Sequence, residues 1–231
     1  MNEQNQPHHV ALLGATGAVG TEVLRTLIAM PTVARITVLT RRPLSAVDDA
    51  KIVEHIVDPL DPKTYANLVA GHDTAICTLG VGAASSVSKE EFLRVDRDAV
   101  IAFGQTCKTH GIKHFQLLSS VGVSPTSRVF YLRSKGELEN ALRGLEFARL
   151  SLFHPSNILT PENRYGLGQA AVLAIWPHLN FVLIGPLRHL RGIKVGILGS
   201  AIAKNTTASV PGAGPMISVL EWDDFHQLAQ T

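Results

Sequence analysis

Residues 10–20 read VALLGATGAVG, an apolar run that stops at Gly14 and then places glycine again at 17 and 20. Val19, Val23, Leu24, Leu27 and Ile28 follow on one helical face, with Pro31 just beyond. A strand must therefore turn directly into an amphipathic helix. The alternation continues. Apolar runs near 9–14, 34–40, 51–57, 74–79, 114–119 and 147–153 are separated by helical patterns. Strands joined by helical crossovers are parallel, so the expected class is α/β, a doubly wound parallel sheet with helices on both faces.

Between these strands, DPKTYANLVAG reads as a short helix opened by Asp61 and closed by Gly71. A longer helix spans 88–110, with Ser88 as its cap, Glu91 as capping-box partner and Gly111 as its stop. Residues 121–128 form a polar loop, and 129–143 return to helix. After about 154 the alternation decays. A helix is expected near 191–204, a strand near 206–210 or 216–220, and a short helix from about 222. With 231 residues, 45% of them hydrophobic, and neither a linker nor a repeat, one domain is expected over 1–231. Its core would cover about 8–165, and an irregular C-terminal region, about 166–231, would cover the substrate edge.

Charge excludes some partners. A net charge of +2 gives no global field for nucleic acid or an anionic membrane. Cys77 and Cys107 sit in apolar runs and read as free thiols in a reducing, cytoplasmic setting. The amino terminus lacks a secretion pattern. The apolar stretch 171–198 is interrupted by Pro177, His178, Pro186, Arg188, His189, Arg191 and Lys194, so no membrane span is expected. His110, His114, His178 and His189 lack metal-ligand spacing and read as surface or edge residues, so no metal is expected. Asp96 and Asp98 read as a solvated helix face, and Trp176 and Phe181 as core or lid.

The glycine turn points to a nucleotide. Gly14 permits the turn, Gly17 lets backbone approach a pyrophosphate, and Gly20 allows close helix packing, with the helix N-terminus holding the anion. The second strand ends in TVLTRRP. Thr40, Arg41 and Arg42 supply no carboxylate for a ribose 2′-hydroxyl, whereas two guanidinium groups suit a 2′-phosphate and hence NADPH/NADP. Asp58 in VDPLD either contacts adenine or caps the following turn. Leu79 and Gly80 in CTLGVG lie where such a cofactor would cross the sheet edge.

Chemistry resides in LLSSVGVSPTSRVFYLRSKGELE. Tyr131 and Lys135, four apart, share a helix face, and an ammonium beside a phenol favours the phenolate. Tyr131 can then exchange a proton with a carbonyl or carbinol oxygen. Ser119 and Ser120 end the fifth strand, where a hydroxyl can donate to the same oxygen. Ser120 is the chosen catalytic serine and Ser119 the fallback.

Together, GATGAVG, TRRP, GHDTAICTLG, FLRVDRDAV, KHFQLLSS, FYLRSKGELE and LSLFHPSNIL resemble the Tat-interacting oxidoreductase branch of the atypical short-chain dehydrogenases, close to the NmrA-like proteins. The resemblance implies a Rossmann fold and NADPH held by Thr16, Gly17, Ala18, Val19, Arg41, Arg42, Leu79 and Gly80. It also implies Tyr131 as proton donor or acceptor, Lys135 on the cofactor, and Ile158 and Arg164 near its nicotinamide half. The family's F-R-P-G reads FHPS here, with His154 for arginine and Ser156 for glycine. The likeness fades after Arg164. The expected activity is NADPH-dependent reduction of a small, fairly apolar carbonyl compound. The alternatives are a non-catalytic NADP(H) sensor and a sugar-nucleotide epimerase, for which 231 residues leave little substrate domain.

Overall fold

The structure, a computed structural model, describes residues 7–44, 47–82, 87–161, 183–208 and 215–231. The strands in chain order are β1 (His8–Leu13), β2 (Val33–Thr40), β3 (Ile52–Ile56), β4 (Thr74–Cys77), β5 (His114–Leu118), β6 (Arg149–Phe153), β7 (Ile158–Leu159), β8 (Ile193–Lys194) and β9 (Met216–Leu220). Seven of them form one sheet in the order β3-β2-β1-β4-β5-β6-β9, every adjacent pair parallel. Strand order reverses at β1, so a crevice opens beyond the carboxyl ends of β1 and β4. This is a Rossmann-type fold. β7 and β8 make a separate parallel pair.

The central strands are buried on both faces because both faces are covered, whereas the edge strands β3 and β9 are partly exposed. On one side α1 (Ala18–Ala29), α5 (Val195–Asn205) and α6 (Trp222–Gln230) pack over Val10, Leu12, Ile36, Val38 and Phe153. On the other, Leu13, Leu39, Phe115 and Leu152 pack beneath α3 (Ala99–Thr109) and α4 (Phe130–Arg143). Phe225 of α6 stacks on Phe153, with ring centroids 5.9 Å apart.

Several local expectations change. The 61–71 helix is two 3₁₀ turns, Pro62–Thr64 and Ala66–Leu68, with Asp61 accepting from the Lys63 backbone N–H at 3.1 Å. Only Tyr65 and Val69 of this segment are fully buried, with Leu68 packed partly against the same core, so a full helix has little more to bury. The long helix runs as α2 (Lys89–Leu93), a π-helical stretch Arg94–Asp98 and then α3, with Ser88 accepting from the Glu91 N–H at its start. The widened turn rotates Val95 and Asp96 inward, so Asp96 is buried while Asp98 stays in solvent, paired with Arg97. The last strand is 216–220, whereas 206–208 are not in a strand. Trp176, His178 and Phe181 lie outside the described residues.

His114 is not an edge residue but a buried one. It opens β5 between two hydroxyl-bearing strands, with Nε2 3.0 Å from Ser151 Oγ and Nδ1 3.4 Å from Thr74 Oγ1. Asn205 of α5 donates to both Ser151 and Gln116, which closes the network across the sheet. Cys77 and Cys107 are free and buried, as expected, and burial pushes the Cys77 thiol up to about 12. No helix among the described residues is long and apolar enough to cross a membrane, and none of their side chains cluster as a metal site.

Burial lowers the proton affinity of His114 well below its ordinary value of 6.5, and that of His72 and His8 in the same direction. The native state holds these rings neutral, so the unfolded chain binds more protons below pH 6.5. Their stabilising contribution is present above that pH and is lost as pH falls below it. Melting temperature should therefore decline steadily from pH 7.5 toward 5.5. His114→Gln should melt with a visibly shallower slope over the same range, and an unchanged slope would contradict the assignment.

Candidate active site

The crevice is built around a backbone contact. Gly14 leaves β1 with φ +97°, and a methyl group there would lie 2.6 Å from the Thr78 carbonyl carbon. At Gly20 a methyl would lie 2.0 Å from the Gly14 carbonyl oxygen. Both glycines are thus demanded by the packing of β1, α1 and the exit of β4. Gly17 differs. Its φ is −74°, ψ is 165°, and an added methyl would meet only the Gly14 oxygen, at 3.4 Å. Nothing inside the fold requires glycine at 17. The space it leaves faces outward at the N-terminus of α1, which no side chain caps. Uncapped N–H groups and the helix dipole suit a phosphate, so the chain fits a dinucleotide here.

Two adjoining cavities continue from that point and share Gly17, Thr78, Leu79 and Gly80. One, of about 400 Å³, extends over β2 to Thr16, Thr40, Arg41, Arg42 and Pro59. Both arginines are exposed, and among the described residues neither is paired with a carboxylate. Thr40 turns its hydroxyl back to the Arg42 carbonyl at 2.8 Å, which shapes the turn. Asp58 caps its own turn, accepting from the Leu60 N–H at 2.9 Å, and Pro59 rather than Asp58 lines the cavity.

The other cavity, of about 300 Å³, runs over β4 and β5 and gathers Ala18, Val19, Phe92, Asp96, Ser119, Tyr131, Lys135 and Ile158. Tyr131 and Lys135 stand on successive turns of α4, as their spacing requires, and Phe92 packs 5.7 Å from the Tyr131 ring. Ser119 lines this cavity. Ser120 does not, and its hydroxyl sits 3.5 Å from the neighbouring Val121 carbonyl. Ser156 and Asn157 form part of the opposite wall, and Arg164 lies outside the described residues.

Two acidic residues that sequence reasoning missed organise this half. Asp96 Oδ1 lies 3.2 Å from Lys135 Nζ, both side chains buried, and Asp96 Oδ2 accepts from the Val81 N–H at 2.8 Å. One carboxylate thereby joins the helix lysine to the loop after β4. A buried ammonium without this counter-charge would be costly. Only the π-helical stretch, invisible in the residue pattern, turns Asp96 inward. Glu139 is the second. It accepts from the Ser119 hydroxyl, lies 2.7 Å from His154 Nε2 and faces Arg143 at 3.5 Å. A signal for Glu139 did exist, because 131, 135 and 139 continue one stripe at a spacing of four.

The family described as NAD(P)H-binding matches residues 14–148, more than half of the chain. The chain belongs to the NAD(P)H-binding family. It is 31% identical over 213 residues to protein HTATIP2 of Rattus norvegicus, covering 91% of this chain and 85% of that one. The fungal protein FMP52, mitochondrial, of Debaryomyces hansenii is 29% identical over 64% of this chain and 66% of its own. The resemblance read from the motifs is therefore upheld. Among solved structures, MoeE5 in complex with UDP-glucose and NAD superposes with TM-score 0.65 at 18% identity, covering 92% of this chain and 76% of that one. A UDP-glucose 4-epimerase from Thermotoga maritima gives 0.67 at 14%, with the same coverage. At such identities these two speak to the fold alone.

The three glycines separate experimentally. Gly17→Val should remain folded, with the cap change costing about 1 kcal/mol, yet lose binding of NADPH and NADH. Gly20→Ala should lower the melting temperature markedly by forcing α1 off β1. Calorimetric titration alongside thermal melts checks both, and cofactor retained by Gly17→Val would sink the phosphate role.

Proposed function

We propose that the protein is an NADPH-dependent oxidoreductase that reduces a small, fairly apolar carbonyl compound. The observation that carries this reading is that Tyr131 and Lys135 line the same cavity as the uncapped start of α1. In this reading the α1 terminus receives the pyrophosphate, Arg41 and Arg42 the 2′-phosphate, and Leu79 and Gly80 support the cofactor where it crosses the sheet edge. Lys135 gives one N–H to Asp96 and keeps two for the nicotinamide ribose and Tyr131. When bound, NADPH supplies a hydride to the carbonyl carbon. The Tyr131 hydroxyl delivers the proton to the carbonyl oxygen, so the product is an alcohol. Phe92, Leu118 and Ile158 give the cavity its apolar surface. The two free buried thiols support a reducing, cytoplasmic setting.

A second reading, a non-catalytic NADP(H)-responsive protein, is favoured by one feature. Lys135 and Ser119 already have internal partners in Asp96 and Glu139, so their presence does not by itself require a substrate. Turnover separates the two readings. A protein that binds NADPH yet reduces nothing across aldehydes, ketones and quinones is a sensor.

Two measurements test the leading reading. NADPH should bind at least about tenfold more tightly than NADH, and Arg41→Ala with Arg42→Ala should bring the ratio close to one. Equal affinities in the parent would refute the 2′-phosphate assignment. Tyr131→Phe should keep NADPH affinity within a few-fold while turnover falls by about 10² or more, and parental turnover in that variant would refute the proton transfer.

A further inference from the structure

Ser119 differs from a serine free to donate into the cavity. Its hydroxyl has a single proton, and that proton is directed at Glu139 Oε1. Glu139 is only 4% exposed. The same oxygen meets His154 Nε2 at 2.7 Å, and Arg143 stands beyond the other at 3.5 Å. Burial alone would push the Glu139 carboxyl up, but the His154 and Ser119 hydrogen bonds and the nearby Arg143 guanidinium outweigh it and hold the carboxyl below its ordinary range. A buried carboxylate does not release a donor cheaply, since hydrogen bonds to charged groups are stronger than those between neutral groups. His154 is itself fixed, because its backbone N–H donates to the Leu220 carbonyl of β9 at 2.8 Å.

We propose that Glu139, braced by His154, is a positioning residue that fixes Ser119 as a hydrogen-bond acceptor toward the cavity, so that the site selects carbonyl compounds bearing a hydroxyl next to the carbonyl. This rests on the carbonyl-reductase reading and narrows its substrate class. Tyr131 meets the carbonyl oxygen, and the Ser119 lone pairs receive the neighbouring O–H. A ketone lacking that hydroxyl leaves Ser119 facing apolar surface, which costs affinity. His154 stands where the family pattern has arginine, and imidazole with one N–H directed at Glu139 keeps the carboxylate oriented without a second guanidinium beside Arg143.

The test is a matched pair of probes, 2-hydroxyacetophenone and acetophenone, titrated against the NADP⁺-loaded protein and then supplied with NADPH. The parent should bind the hydroxyketone at least about tenfold more tightly. Ser119→Ala, with its melting temperature at the parental value as the folding control, should bring the pair within about twofold. Glu139→Gln can donate its amide to Ser119 and free the serine proton for the cavity, so the preference for the hydroxyketone should shrink. Parental preference surviving in Ser119→Ala, equal affinities in the parent, or no saturable binding of the hydroxyketone each overturns the proposal. Selective binding without NADPH oxidation leaves the acceptor role standing and removes the reductase reading instead.

Discussion

The contact between Gly20 and the Gly14 carbonyl, where even a methyl group has no room, is the constraint on which the site depends. It draws the first turn of α1 against the end of β1, and Thr78 closes the same junction by donating to the Gly14 carbonyl at 3.0 Å. The uncapped N-terminus of α1 is thereby fixed at the point where strand order reverses. A looser junction would let the helix start drift, and aligned N–H groups are useful to an anion only while they point at one place. Gly17 is free of that packing, so the turn separates two glycines that the fold requires from one that it does not.

The half of the crevice over β4 and β5 is organised by charge held out of water. Asp96 and Glu139 each take one cavity-lining side chain, Lys135 and Ser119, and restrict which way it can act. Buried ionic groups of this kind contribute orientation more than net stability, because desolvation offsets much of their attraction. Both carboxylates also tie separate elements together. Asp96 connects the long helix to the loop after β4, and Glu139 connects α4 to the ends of β5 and β6. Helix α4, which carries Tyr131 and Lys135, is therefore held from both sides of the cavity it lines. The chain belongs to the NAD(P)H-binding family, and the acidic pair orients two of the side chains that line this crevice.

The sequence by itself determined the order of the first six strands of the sheet, the strand-turn-helix with its glycines, and the Tyr131–Lys135 pair on one face of α4. Each depends on residues close in the chain, where periodicity and turn chemistry dictate conformation locally. The stripe even extended to Glu139, four residues further, although spacing alone could not say what that carboxylate would touch. Asp96 was decided by tertiary structure, since a π-helical stretch that leaves no mark on residue spacing rotated it from solvent into the cavity. His114 was decided likewise, by hydroxyls arriving from β4 and β6. The choice between Ser119 and Ser120 for the cavity wall followed the same rule, because adjacent residues at a strand end diverge and only the packing of α4 fixes which one faces inward. Local pattern carries the fold. Partners distant in sequence carry the electrostatics of the site, for Coulomb and hydrogen-bond energies depend on separations that the chain order does not contain.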